Sequence, residues 1–412
     1  MRFAHLADCH LGCWRTQEMK ELTLETFRKA IDKCIEENVD FVLIAGDLFD
    51  SAIPSVEALK CAAEKLKELR EKGIACYVIH GSHDYSASGK SMLSVLEKAG
   101  LCIDVSSKPF QTEEFEILGI GGKKGGLEQQ EIRNVKLEKT KALSILLLHT
   151  AINLNDDQDE LFPKLAINEL PSGFDYYALG HLHEKSIVKR GNSIFAYPGA
   201  LFPTNFSELE EQHASSFFIV EYEKKAEPKI KEVSFSVKPV INLTINADNE
   251  TPRSLKEKIL ENFAKLKEKL NGAILTLRIV GTLKEGKPSE IDFVSIEREA
   301  KKLGVYSLIR NVAQLKTREF ELEIESASLD LENLEEKAIE KITEKLSPEK
   351  KELVKLLIKE LDIEKREEET NSSFASRLNS NLLNALRNHL MIEEEEKEKT
   401  VSYTHLTLPT KA

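Results

Sequence analysis

In this 412-residue chain, Asp and His recur directly after apolar runs. "RFAHLAD" ends in Asp8, with His10 two residues on. "FVLIAGD" ends in Asp47, and "CYVIHG" leads into Ser82, His83 and Asp84. "SILLLH" ends in His149, and "YYALGHLH" carries His181 and His183. Residues two apart on an extended chain point the same way, so Asp8/His10 and His181/His183 are natural pincers. Carboxylate and imidazole together suit manganese, iron or zinc better than calcium. A carboxylate such as Asp47 can bridge two ions roughly 3.5–4 Å apart and so clamp the attacking and leaving oxygens of a phosphoryl transfer. A single Asp-x-His says little; five strand ends in order say much more.

Such a set works only if its strands end on one edge. "FVLIAGD" reads as a buried strand by its continuous apolar run. Residues 20–37 read as a helix with Leu22, Phe27, Ile31 and Cys34 on one face. "PSVEALKCAAEKLKELREKG" reads as another, with Ser55 as N-cap and Gly73 past its end. "IACYVIHG" is a strand and "SMLSVLEKAG" a helix. Further strands are "FEILGIGG", "LSILLLH", "YYALGHLH", "SIFAYPG" and "SFFIVEYE". Alternating elements followed by a strand-rich half predict a layered α/β fold. In open α/β sheets, ligands gather beyond the carboxyl ends of the strands.

The chain divides into an expected phosphoryl-chemistry domain over 1–235, a β-α-β-α-β accessory unit over 236–320, and an acidic helical region over 321–400. In the last of these, Leu378, Leu382, Leu383, Leu386 and Leu390 cluster on one helix face suited to a partner groove. Residues 401–412, "VSYTHLTLPTKA", resemble a translated transposase sequencing adapter. They are expected to be an artefact and are excluded from fold reasoning.

The net charge is −12, but residues 321–412 alone hold 22 acidic and 14 basic residues. The nearly neutral remainder can still present a local basic groove, and bound divalent cations would add positive charge. There is no secretory signal and no apolar run long enough to span a membrane, so a cytoplasmic protein is expected. The six cysteines include no CxxC pair, which argues against a structural zinc knot and for reduced core thiols.

Asp8-Cys9-His10, Gly46-Asp47-Leu48-Phe49-Asp50, Gly81-Ser82-His83-Asp84, His149 and Gly180-His181-Leu182-His183 resemble the motifs of calcineurin-type metallophosphoesterases. "FAHLADCHLG", "NVDFVLIAGDLFDS", "YYALGHLHE" and "YPG" are similar to a narrower group. This is the nuclease subunit of the DNA double-strand-break repair complex (the meiotic recombination eleven family, SbcD in bacteria). The resemblance implies a four-layer α/β/β/α sandwich with a small α/β capping domain and C-terminal helices. It also implies two Mn2+ ions or other divalent metals, a homodimer, double-stranded DNA ends as substrate, and a coiled-coil SMC-like ATPase partner of the Rad-fifty/SbcC type. In a prokaryote the protein would be nucleoid-associated.

Carried over, one metal would take Asp8, His10, Asp47 and His183, and the other Asp47, Ser82, His149 and His181. His83 would face the leaving group as transition-state stabiliser or general acid. Asp84 would orient His83 or cap the turn. Two positions depart from the family. Ser82 stands where Asn is usual, and binds directly, binds through water, or leaves the second site loose. Asp50 stands where many members have a His linked to DNA handling. Trp14, Lys123 and Lys124 are further candidate DNA contacts; packing on its own domain and a plain solvated loop are their ordinary alternatives. Two rival functions remain: a phosphoesterase of the same fold acting on nucleotides or phosphoproteins, and a DNA-tethering adaptor weakened at Ser82.

Overall fold

The computed structural model describes residues 1–86, 91–106, 108–123, 126–135, 143–154, 165–211, 214–223 and 227–318, with isolated positions between 350 and 378. Lys124, Leu382, Leu383, Leu386, Leu390 and 401–412 are not among these, so the readings placed there lie outside the described residues.

In chain order the first elements are β1 (Arg2–Leu6), α1 (Gln17–Glu36), β2 (Phe41–Ala45), α2 (Val56–Glu71), β3 (Ala75–Ile79), α3 (Met92–Lys98), β4 (Ile103–Asp104), β5 (Phe110–Gln111) and β6 (Phe115–Ile120). Then come α4 (Glu128–Asn134), β7 (Leu143–His149), β8 (Ile152–Asn153), β9 (Leu165–Ala166), β10 (Tyr176–Gly180), β11 (Ser186–Arg190), β12 (Ser193–Tyr197), α5 (Phe206–Glu211), β13 (Ser215–Glu221) and β14 (Lys229–Phe235). The last are β15 (Val240–Asn246), α6 (Pro252–Leu270), β16 (Ile274–Leu283), α7 (Phe293–Lys302) and β17 (Ser307–Thr317).

Two six-stranded sheets stack face to face, in the orders β14-β13-β1-β2-β3-β4 and β11-β12-β10-β7-β6-β5. Period-two alternation builds the layers. Phe3, Phe41, Leu43 and Ala45 face the second sheet, where they meet Ile145, Leu147, Tyr176 and Ala178. Ala4, Leu6, Val42 and Ile44 face the other way, onto Phe27 and Ile31 of α1 and Ala62 and Leu66 of α2. On the far side of the second sheet, Leu146, Leu148, Tyr177 and Leu179 pack under Ile132 of α4. The molecule is therefore a mixed α/β sandwich with helices outside both sheets.

Ser55 caps α2 by accepting the Ala58 amide, and Gly73 follows the helix with φ +76°. Strands β11 and β14 have no counterpart among the predicted runs. Each closes one end of its sheet and alternates in burial with mostly polar residues, so neither presents a continuous apolar signal.

The third sheet, β15-β16-β17, is all parallel, with α6 and α7 packed on it through Leu255, Ile259, Phe263 and Ile296. Residues 1–317 form one compact unit. A small apolar cluster joins the third sheet to the first domain, bringing together Met19, Leu22, Phe202, Leu209 and Ile274, with Trp14 and Tyr306 at its edge. Among the described residues no helix is long and apolar enough to cross a membrane.

Candidate metal centre

Parallel pairing of β1 with β2 and β2 with β3 aligns their carboxyl ends on one edge of the first sheet, and pairing of β7 with β10 does the same in the second. Asp8 and Asp47 each stand two residues past their strand, His149 is the last residue of β7, and His181 follows β10 directly. The turns there are sharp. Asp8 (φ 49°), His10 (φ 42°), Asp47 (φ 47°) and His181 (φ 95°) all adopt the left-handed region, which costs non-glycine residues energy and concentrates at functional sites. The sheets also approach closely here. A Cβ on Gly180 would lie 1.9 Å from the Ala45 carbonyl oxygen, so only glycine lets β10 cross β2 at this point.

Asp8, Asp47, His10 and His149 are almost wholly buried. Their oxygen and nitrogen atoms gather in two triads, Asp8/His10/His183 and Asp8/Asp47/His149. A third group, His10/Asp50/His83, lies nearer the surface. Asp8 belongs to both deep triads, so it shares the bridging position that the sequence suggests for Asp47.

Hydrogen bonds on the far nitrogens fix two of the imidazoles, His149 and His183. His149 Nδ1 donates to the Ala45 carbonyl at 2.9 Å. His183 Nδ1 donates to Glu208 Oε1 at 2.8 Å. His10 Nδ1 lies 3.3 Å from Asp50 Oδ1 without making a hydrogen bond. A ring that donates from Nδ1 presents a bare lone pair at Nε2 when neutral. The His183 Nε2 faces His10 Nε2, 3.2 Å away. His149 Nε2 is buried without a hydrogen-bond partner, 3.2 Å from Asp47 Oδ2. Lone pairs and carboxylate oxygens facing one another in a buried site need a positive charge between them. This nitrogen and oxygen donor set fits divalent manganese, iron or zinc.

The titration behaviour has the same origin. Burial would depress His149, but Asp47, Asp8 and the Ala45 carbonyl outweigh it and raise it to about 9, so without a cation a proton on Nε2 supplies the positive charge beside Asp47. Burial pushes Asp8 up, partly offset by His149 and His183. Asp47 is held below the usual carboxylate range: burial opposes this, but His149, His10 and the His83 amide prevail. Burial and His149 lower His181 to about 4.

The family model for calcineurin-like phosphoesterases matches residues 1–185, which contain every one of these ligand candidates. This region is a calcineurin-like phosphoesterase domain. Among curated proteins, the chain is 32% identical over 225 residues to the DNA double-strand break repair protein Mre11 of Methanococcus maripaludis, covering 51% of this chain and 60% of that protein. It is 34% identical over 226 residues to the protein of the same name in Archaeoglobus fulgidus, covering 49% and 50%. It is 26% identical over 309 residues to the uncharacterized metallophosphoesterase YhaO of Bacillus subtilis, covering 69% and 73%. The chain thus spans 50–60% of the length of these two Mre11 relatives.

The remaining candidates of the phosphoesterase domain fall into place around this centre. Ser82 Oγ is 3.5 Å from Asp47 Oδ2, and Ser82 lines a cavity of about 680 Å3 together with His83, His149 and His181. His83 donates its amide to Asp47 Oδ1 at 2.8 Å, and its ring stands perpendicular to His10 at 4.8 Å. Its Nδ1 is engaged by the Asp50 carbonyl at 2.9 Å, which leaves Nε2 for a ligand. Asp84 does not touch the His83 ring. Its carboxylate accepts the amides of Leu48 and Phe49, both at 2.9 Å, and of Gly81 at 3.3 Å, which clamps two loops together.

Trp14 does not line this cavity. Its indole N–H donates to the Pro203 carbonyl at 2.8 Å, and its ring joins the cluster under the third sheet. The Lys123 ammonium pairs with Glu131 and its amide donates to Glu128, so its charge is already committed. The sequence reading missed Glu208. It sits on the short helix α5 behind His183, and no motif marks it. Asp50 was singled out as a departure, but its contacts with His10 and His83 could be seen only in three dimensions.

Proposed function

We propose that this protein is a manganese-dependent nuclease that processes DNA double-strand-break ends, working as a homodimer with a coiled-coil ATPase partner in the cytoplasm. The observation that carries this reading is the convergence of three imidazoles, His10, His149 and His183, with two buried carboxylates where the two sheets approach. The DNA substrate is supported by relatives named for double-strand break repair.

Asp8, His10, Asp47 and His183 would hold one cation, and Asp8, Asp47 and His149 the other, with Ser82 and His181 beside it. When bound, the cations supply Lewis-acid polarisation and charge neutralisation at a phosphate. The chain supplies the rest. The buried carboxylates fix where positive charge sits, and the strained turns keep the ligands from relaxing away. His83 is half exposed at the cavity mouth. In its imidazolium form, its Nε2 can protonate a departing oxygen while the Asp50 carbonyl holds Nδ1.

A second reading has its own support. The alignment with YhaO is long enough to extend beyond residues 1–235, so the accessory unit is not confined to relatives named for DNA repair. That reading is a phosphodiesterase acting on smaller substrates.

Both are tested by incubating purified protein and manganese with linear duplex DNA or with bis(p-nitrophenyl) phosphate, alongside His83→Ala. Manganese-dependent loss of DNA, reduced about 100-fold or more in His83→Ala, is expected from removal of a general acid. Turnover of the small diester without DNA degradation would favour the second reading, and no turnover of either would sink both. In the same assay Ser82→Asn should lower the manganese concentration needed, because an amide oxygen reaches further than a hydroxyl.

A further inference from the structure

Glu208 grips a candidate metal ligand from behind. Its Oε1 accepts from His183 Nδ1 at 2.8 Å. Its Oε2 accepts the Thr204 amide at 2.8 Å and the Thr204 hydroxyl at 3.0 Å. Asn205 Nδ2 donates to Oε1 at 2.5 Å, while Asn205 Oδ1 accepts the Glu208 amide at 3.0 Å. A carboxylate held by four donors has little freedom to turn. The imidazole it grips is therefore kept in one orientation, with Nδ1 protonated and Nε2 aimed at His10.

The other side of the same helix is fastened to the third sheet. Residues two apart on a helix lie on nearly opposite faces, and Glu210 points away from His183. Glu210 accepts from Arg278 of β16 through Nε at 3.0 Å and through Nη2. The Arg278 guanidinium lies over the Phe206 ring, 5.0 Å from its centroid. The Glu210 carbonyl accepts from Asn242 Nδ2 of β15 at 2.8 Å. Between these two acids, Leu209 is fully buried against Phe202 and Ile274. Helix α5 thus touches the metal centre at one residue and two strands of the accessory sheet at another.

The geometry points to Glu208 as a positioning residue for His183, and to α5 as a strut through which the accessory sheet sets the geometry of the metal centre. This rests on the metal-centre reading above. Glu208 touches neither substrate nor reacting atoms; it acts through His183. Any shift of the accessory sheet that pulls Glu210 moves Glu208 with it, because the two share one rigid turn.

The test is manganese binding by the full chain, read as loss of the free-ion electron paramagnetic resonance signal and by calorimetry. Wild type should bind two ions. Glu208→Gln should weaken one of them 10- to 100-fold, the usual effect of losing a ligand's supporting partner, with thermal unfolding in chelator nearly unchanged. Arg278→Met, which touches no ligand, should weaken the same ion by a smaller factor. Unchanged affinity for both ions in Glu208→Gln overturns the positioning role. Unchanged affinity in Arg278→Met overturns the strut. If Glu208→Gln does not fold, Thr204→Val replaces it: it removes one donor to Glu208, and unchanged affinity there is equally fatal. Wild type binding no manganese would overturn the metal-centre reading itself, a result distinct from all of these.

Discussion

Asp84 and His83 are adjacent in sequence, yet one is buried and accepts three amides while the other is half exposed with a single ring partner. Burial and the nearby Asp47 charge push Asp84 up to about 6, against the pull of those amides. Its removal would strand donors from both loops that carry Asp47 and Ser82. Asp84→Ala should therefore lower unfolding free energy by about 3 kcal/mol, as expected for buried amides deprived of a charged acceptor. His83→Ala should leave stability almost untouched. Chemical denaturation of both variants in chelator separates the two roles; equal losses would contradict the clamp. The sequence marks the Gly-Ser-His-Asp tetrapeptide as chemical, but not which of its side chains turns inward. That depends on Leu48 and Phe49, which are more than thirty residues away.

At the scale of strands and helices, His5 of β1 lies between the sheets, with Nδ1 2.9 Å from the Tyr176 hydroxyl and its ring edge-on to Phe218. Burial lowers it to about 3 from an ordinary 6.5, so the folded chain keeps it neutral while the unfolded chain protonates it. The unfolded state binds more protons below pH 6.5, and the stability this site contributes is complete above that pH. It is then lost as pH falls toward 3, at up to about 1.4 kcal/mol per pH unit. His5→Gln should flatten this slope between pH 4 and 6.5 in apoprotein denaturation curves; an unchanged slope would assign it to other groups. Continuous apolar runs made the central strands and their Asp and His termini legible in sequence. The edge strands β11 and β14 were not, since half-exposed alternation carries little signal. Glu208 was invisible for a different reason: its meaning comes from the position of α5 behind His183, and six residues of "FSELEE" encode nothing about that.

For the molecule as a whole, the buried site of two carboxylates and three imidazoles needs positive charge, which protons supply only partly and a divalent cation would supply fully. Manganese should raise the unfolding temperature, and chelator should reverse this. At a concentration 100-fold above the dissociation constant, each site would add about 2.7 kcal/mol. Calorimetric scans with and without manganese check this, and coincident transitions would argue against binding. The net charge of −12 gives DNA no general attraction, so approach must depend on local charge, above all at the cation sites.

The two deep triads each draw on both sheets. Asp8, His10 and Asp47 follow strands of the first, while His149 and His183 follow the second. The ribosome releases the carboxylates well before the imidazoles that complete them. A nascent chain that has made only β1 to β4 holds neither triad and has no complete place for a cation in either. On the proposed function, metal loading becomes possible only once the second sheet has docked on the first, so the packing of the two sheets is also what arms the site.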